Sequence, residues 1–200
     1  MAAKKRRGQE SLVSPQPTPS VARLTLDQAA KLAEGRSFEL IDGRVVFKMA
    51  DNKHSDAQGL LCSELVNYFR ANPIGRVRPE FTHRLWPENP YEARTPDLSV
   101  ILNENFKEER YGSRAPDLAI EIISHDDAWS ALFEKADLYF EKGSRIVWFV
   151  DPYRQGVTIV TPDDQRWVKD ILTCPEMLPG FSVKVQNIFN WPSAPAKAAE

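Results

Sequence analysis

The residues of this chain best suited to chemistry are carboxylates placed within apolar segments. Glu121 interrupts the strand-like run 117–123. Alternate side chains of a strand point to opposite faces, so Glu121 shares one face with Asp117 and Ala119. Burial of an unpaired carboxylate is costly. Glu121 therefore belongs to an ion pair, a metal site or a cleft wall, unless it lies solvated on an edge strand.

Asp97 begins a second apolar segment, 98–101, and follows a proline just as Asp117 does. If the two strands are neighbours, Asp97 and Glu121 come close enough to share a hard cation. Mg²⁺ and Mn²⁺ prefer oxygen ligands, commonly one or two carboxylates together with water and substrate phosphate. Each aspartate is equally well an ordinary first residue of a strand, and spacing alone does not distinguish Asp97 from Asp117.

Lys135 lies at the flank of the apolar face of a predicted helix over 126–142. From that position a long side chain can extend over the sheet edge toward Glu121. An amine there can orient or deprotonate an attacking water, or offset negative charge on phosphate oxygens. A solvated helix lysine is the alternative interpretation.

Several other chemistries are absent from the sequence. It contains no glycine-rich phosphate loop, no GxSxG nucleophile motif and no HExxH zinc motif. Cys62 and Cys174 form no CxxC pair, which excludes a disulfide framework and a structural zinc site. The sequence therefore predicts a site built from carboxylates and a lysine.

Local patterns predict the elements that must position these residues. A capping box at Thr25 and Gln28 opens a short helix, and Asp42 with Gly43 predicts a hairpin turn within 37–49. The remaining predicted elements are a helix over 53–71 packed on that hairpin, a half-buried strand over 77–86, and strands at 97–101, 117–123, 145–150, 157–160 and 167–168. The sum is an α/β or α+β fold with a mixed sheet and flanking helices.

Composition bounds the organisation of the chain. Its 200 residues, 42% of them hydrophobic and 27% charged, are typical of one globular domain. We predict a flexible basic and proline-rich tail over 1–20, a single domain over 21–190 and a flexible tail over 191–200. The basic run Lys4–Arg7 is consistent with a solubilising tail, a nucleic-acid arm or a targeting signal. No apolar run is long enough to span a bilayer and no signal peptide is recognisable, so we expect a cytoplasmic, bacterial protein.

The net charge limits how the chain could bind nucleic acid. The formal net charge is −2, although the first 20 residues are basic, so the rest of the chain is more acidic than the total suggests. Non-specific binding to nucleic acid depends mainly on Lys and Arg that neutralise phosphates. Any such binding must therefore come from a local patch.

Taken in order, these segments resemble the Uma-two family of restriction endonucleases, a branch of the PD-(D/E)xK nuclease superfamily. The resemblance runs from about residue 25 to about residue 190 and is carried by 38–46, His54, 95–100, 116–124, Lys135 with Tyr139 and Gly143, 147–152 and 178–181. It implies a restriction-endonuclease-like mixed central β-sheet flanked by helices, with an N-terminal helix and hairpin.

The resemblance also implies roles for three residues. Asp97 matches the aspartate of the family's Pro-Asp motif, and Glu121 matches the acidic residue of the next strand, so these two would hold the metal. The superfamily pattern places a lysine two positions after that acidic residue, where this chain has Ile123. In the family the lysine has migrated to the following helix, and Lys135 occupies the matching place.

Further positions match less directly. Glu39 and His54 match family positions near the site and rank second as candidates, and a packed core histidine is the alternative for His54. His83 is expected to be structural. Two departures concern the segment before Lys135: His125 stands where the family often has proline, and Ala131 stands where it often has aspartate.

The implied function is a metal-dependent endonuclease that hydrolyses phosphodiester bonds in DNA. Asp97 and Glu121 would hold Mg²⁺ or Mn²⁺, and Lys135 would assist, with no small-molecule cofactor. The resemblance also implies a homodimer as one possible assembly, because family members resemble dimeric nucleases and cutting two strands needs two sites or two visits. One alternative is a catalytically silent nuclease fold that serves as a DNA-binding or assembly module, and another is an enzyme acting on RNA or a different phosphate ester.

Overall fold

The computed structural model describes residues 22–191, so the predicted tail over 1–20 and, apart from Trp191, the predicted tail over 191–200 lie outside the described residues. The helices are α1 (Leu26–Ala33), α2 (Asn52–Ala71), α3 (Trp129–Glu141) and α4 (Gln186–Phe189). The strands are β1 (Phe38–Ile41), β2 (Arg44–Phe47), β3 (Gly75–Pro79), β4 (Leu98–Leu102), β5 (Leu118–Ile122), β6 (Ile146–Asp151), β7 (Gly156–Val160), β8 (Gln165–Val168), β9 (Ile171–Cys174) and β10 (Leu178–Lys184).

A six-stranded mixed sheet in the order β3-β4-β5-β6-β7-β8 forms the centre of the fold. Strands β5 and β6 are parallel, and every other neighbouring pair in this sheet is antiparallel. The parallel pair requires a crossover, which α3 provides. The predicted fold class, a mixed sheet flanked by helices, is confirmed.

The two faces of the sheet bury separate cores. On one face, Leu118 and Ile120 pack with residues of α2, β9, β10 and α4, among them Leu61 and Leu178. On the other face, Ala119 and Phe149 pack against the apolar stripe of α3. The alternation predicted for β5 is therefore correct, and it leaves Glu121 on the α3 face.

The N-terminal helix and hairpin form as predicted. Thr25 and Gln28 make the capping box of α1. Asp42 and Gly43 both adopt positive φ, 50° and 73°, as a type I′ turn requires. A third small core joins α1 to the hairpin, and the bridge between Leu40 and Ala93 ties the hairpin to the loop before β4.

Two local predictions are wrong. Helix α2 packs on the six-stranded sheet rather than on the hairpin, because its apolar face matches the large core. The predicted strand over 77–86 ends at Pro79, since Glu80 takes a left-handed backbone conformation at φ 50°. The chain beyond it keeps only isolated bridges at His83, to Arg94 and to Gly112.

His83 is structural, as expected. Its ring is buried, with Nδ1 at 2.7 Å from the Arg114 carbonyl oxygen and Nε2 at 2.9 Å from Ser99 Oγ. Burial disfavours the charged ring and lowers the pKa of His83 to about 4.

This low pKa predicts acid sensitivity of the fold. Below the ordinary histidine pKa of 6.5, His83 is protonated in the unfolded chain, whereas in the folded protein it is protonated only near pH 4. Because the unfolded state binds more protons in this range, the stability of the fold decreases as the pH falls. Between pH 7 and pH 4, the unfolding free energy of His83→Gln should therefore decrease by about 3 kcal/mol less than that of wild type. Urea titrations across this range measure it, with the exposed His125→Gln as control. Equal losses in wild type and His83→Gln would contradict it.

Candidate active site

The pairing of β4 with β5 brings Asp97 and Glu121 together. The two strands are antiparallel with Leu98 opposite Ile120, so the start of β4 lies beside the end of β5. Asp97 Oδ2 accepts a 2.6 Å hydrogen bond from the Ile122 backbone N–H. Both acidic side chains are buried, at 1% and 5% exposure.

The second Pro-Asp aspartate lies at the opposite end of the same strand pair. Asp117 accepts hydrogen bonds from the Leu102 backbone N–H at 2.8 Å and from Asn105 Nδ2 at 2.6 Å. Each aspartate thus caps the end of the other strand. Asp97 meets Glu121, whereas Asp117 meets backbone and amide donors and is structural.

Lys135 reaches Glu121, as predicted. Its ammonium lies 2.9 Å from Glu121 Oε1 and 2.9 Å from Glu39 Oε1. Glu39 comes from β1, so the hairpin contributes an acidic group to the same cluster. From α3, one turn after Lys135, the Tyr139 hydroxyl donates a 2.7 Å hydrogen bond to Glu121 Oε1. Helix α3 therefore contributes an ammonium and a hydroxyl that contact the same carboxylate oxygen.

Lys48 is a member of the cluster that sequence reasoning missed. It follows β2 directly, and its ammonium bonds Asp97 Oδ1 and, at 2.9 Å, the Thr95 carbonyl oxygen. The same ammonium lies 3.6 Å from Glu121 Oε2. The sequence signal for Lys48 was a single lysine directly after the apolar hairpin strand. This signal is weak, because lysines at strand ends are usually solvated.

His54 also lies in the site. It is in the first turn of α2, where Asp51 caps the helix by accepting from its backbone N–H. Its Nε2 lies 3.3 Å from Asp97 Oδ2, and its buried Nδ1 has no hydrogen-bond partner within residues 22–191. His54 is therefore buried beside Asp97, near the predicted site, and is not a core histidine with both ring nitrogens satisfied.

A second unpredicted group holds the start of β4. Gln58 on α2 donates from Nε2 to the Asp97 carbonyl oxygen at 3.0 Å and to Glu80 Oε1 at 2.7 Å. Glu80 in turn accepts from the Ser37 hydroxyl. Because these bonds fix the backbone of Asp97, they fix the direction of its side chain.

The cluster opens into a cleft of about 370 Å³. Asp97, Glu121 and Lys135 lie on its wall, and Ala131 on α3 lines it where the family often has an aspartate. Further lining side chains include Phe47, Met49, Asp126, Asp127 and Leu132. The carboxylates are therefore buried from bulk water yet reachable from one side.

The charges of the cluster control its carboxyl groups. Burial by itself would raise the pKa of Asp97, but the hydrogen bond from His54 and the charge of Lys48 outweigh it and lower that pKa. Burial raises the pKa of Glu121 despite the opposing charges of Lys135 and Lys48. Burial also opposes ionisation of Glu39, yet Lys135 lowers its pKa.

Both lysines are held in the charged form. Burial favours the neutral amine, but Glu121 and Glu39 outweigh it and raise the pKa of Lys135. Glu121 and Asp97 likewise raise the pKa of Lys48 against burial. An ammonium carries no free electron pair, so Lys135 is suited to stabilising negative charge rather than to deprotonating water.

The donor set fits a hard divalent cation. Asp97 and Glu121 offer carboxylate oxygens from the adjoining ends of β4 and β5. The Lys48 ammonium lies between these oxygens, so both carboxylates stabilise a positive charge at that position. Within residues 22–191 no three His, Cys, Asp or Glu side chains are grouped as a complete metal site. Mg²⁺ is commonly held by only one or two carboxylates, with water and phosphate completing its shell.

The fold and this cleft define a nuclease-like α/β protein, and comparison with known proteins supports that class. The sequence model of the Uma2 family, described as "Putative restriction endonuclease", matches residues 25–186. The chain belongs to this family, and the resemblance inferred from sequence is confirmed.

A solved structure shares the fold. It is described as a "putative nuclease belonging to DUF820 from Anabaena variabilis" and is similar with a TM-score of 0.68 at 23% identity, over 83% of this chain and 97% of that one. No curated protein matches the chain in sequence. In the part of the chain that the structure describes, no helix has the length and apolar character needed to cross a membrane.

Proposed function

We propose that the protein is a metal-dependent endonuclease that hydrolyses phosphodiester bonds in DNA. The observation that carries the proposal is the pair Asp97 and Glu121, buried on neighbouring strands and reachable from a cleft whose wall also carries Lys135. Family membership supports a nuclease. Without that geometry the family would indicate only the fold and the class.

In this proposal Asp97 and Glu121 hold Mg²⁺ or Mn²⁺. Such a cation supplies Lewis-acid chemistry, since it acidifies water and offsets the charge of a phosphate. Asp97 is suited to this role because the bonds from Ile122 and Gln58 fix its position. Its lowered pKa keeps it ionised through the neutral range.

Lys135 acts on the phosphate. Its ammonium faces the cleft, and the positive charge stabilises negative charge that develops on the phosphate oxygens during attack. Glu39 holds the ammonium at 2.9 Å and so orients it. Tyr139, one turn further along the same helix, orients Glu121 through its hydroxyl.

DNA is the proposed substrate. A homodimer is the proposed assembly, because a dimer brings two sites to the two strands of a duplex, whereas a monomer would need two visits. Purified protein should nick supercoiled plasmid in the presence of Mg²⁺ or Mn²⁺ and stop when EDTA removes the metal. A gel of plasmid topoisomers measures this, with a long linear DNA of mixed sequence to widen the choice of sites. An RNA substrate run in parallel tests the choice of nucleic acid.

Either of two results would count against the proposal. If the protein cleaves RNA but leaves DNA uncut, the same site acts on RNA instead of DNA. A shift of DNA mobility without strand scission under either metal would instead favour the binding or assembly module, for which the acidic body of the chain is the supporting observation.

A further inference from the structure

Lys48 lies between the two carboxylates proposed to hold the metal. Its ammonium bonds Asp97 Oδ1 and lies 3.6 Å from Glu121 Oε2. These two oxygens come from different strands, and both face the same positive charge. The lysine therefore occupies the position between the carboxylates in which a shared cation would be held.

The surroundings of Lys48 allow it to leave that position. It lies in the link 48–51, which has no regular secondary structure, between β2 and α2. Its side chain is 20% exposed and lines the cleft, and the next residue, Met49, is 88% exposed. Movement of the ammonium into the cleft breaks its bond to the Thr95 carbonyl oxygen but disturbs neither core of the sheet.

Charge makes the lysine and a divalent cation mutually exclusive. Two positive centres in contact with the same pair of carboxylates repel each other strongly in a partly buried site. Without any cation the two carboxylates would repel each other instead. Lys135 contacts Glu121 and Glu39 but not Asp97, and His54 lies 3.3 Å from Asp97 but pairs with no oxygen of Glu121. Among the described residues, Lys48 is therefore the cation that approaches both carboxylates.

We propose that Lys48 is a resident counter-ion that holds the two carboxylates together in the metal-free protein and must be displaced for a divalent cation to bind. The inference rests on the proposed function, because it assumes that Asp97 and Glu121 hold the metal. It makes metal binding a competition, so the affinity for the metal is set partly by Lys48.

Replacement of the lysine by an uncharged residue of similar length tests the competition. We expect Lys48→Met to lower the Mn²⁺ dissociation constant by about tenfold or more, measured by electron paramagnetic resonance of free Mn²⁺. Without metal the variant should melt at a lower temperature than wild type, and Mn²⁺ should raise its melting temperature by more. Lys31→Met, which removes an exposed lysine from α1, controls for the change in net charge.

The outcomes separate this inference from the proposed function. Unchanged or weaker Mn²⁺ binding in Lys48→Met, with clear binding by wild type, would overturn the role of Lys48 and leave the nuclease proposal standing. No Mn²⁺ binding by any variant would overturn both. If Lys48→Met does not fold with or without Mn²⁺, Lys48→Gln provides the same comparison, because it removes the charge and keeps a hydrogen-bond donor.

Discussion

Replacement of Asp97 by asparagine should reduce DNA cleavage by about a thousandfold or more while the protein stays folded. The amide has the shape of the carboxylate and can still accept the hydrogen bond from the Ile122 backbone N–H. It lacks the negative charge, so it can neither pair with Lys48 nor hold a divalent cation as tightly. Initial rates of plasmid nicking, with circular dichroism to confirm folding, measure the effect.

Asp117→Asn is the matched control for this prediction. Asp117 is as buried as Asp97, also follows proline and also accepts a backbone N–H from the neighbouring strand. It lies at the far end of the strand pair, so its substitution can lower stability but should leave cleavage of the folded protein unchanged. Cleavage by folded Asp97→Asn at the wild-type rate would refute the assignment of Asp97.

The contrast between these aspartates shows where sequence reasoning stops. Both begin apolar strands after proline, and nothing local distinguishes them. The difference arises from the antiparallel register of β4 and β5, which places one aspartate beside Glu121 and the other beside Leu102. Register is a long-range property, set by how the side chains of both strands pack on two cores.

The elements of the fold were predictable where a local rule applies. The capping box of α1, the turn at Asp42 and Gly43, and the alternation along β5 each depend on neighbouring residues, and each was correct. The packing partner of α2 was not predictable, because an apolar helical face fits the hairpin and the sheet equally well by pattern. The sequence pattern also did not predict that β9 and β10 form a separate two-stranded sheet.

The same limit applies to the site. Glu121 was identifiable because a carboxylate inside an apolar strand must be compensated. Its three compensating groups come from two separate parts of the fold: Lys48 from the link after β2, and Lys135 and Tyr139 from α3. The position of Lys135 at the flank of a helical stripe carried a stronger local signal than the other two groups. Lys48 depends on how the hairpin docks, through Leu40 and Ala93, beside the start of β4.

Lys135→Met should reduce cleavage by about a hundredfold to a thousandfold while Mn²⁺ still binds, because the lysine contacts no oxygen of Asp97 and acts on the phosphate. The same change should lower the unfolding free energy by about 3 kcal/mol, since it leaves Glu121 and Glu39 close together without the ammonium that joins them. Nicking rates under saturating Mn²⁺, together with urea unfolding, measure both effects.

A matched variant at the end of α3 separates the role of Lys135 from a general effect of losing a lysine. Lys142 has the same exposed fraction, 20%, but its ammonium pairs with the exposed Glu141 away from the cleft. Lys142→Met should therefore leave both cleavage and Mn²⁺ affinity unchanged. If Lys135→Met cleaves as fast as Lys142→Met, the lysine acts only as a counter-ion to Glu121 and Glu39. If Lys135→Met instead loses Mn²⁺ binding along with cleavage, its function is to position Glu121, and the stabilisation of phosphate charge must come from another group.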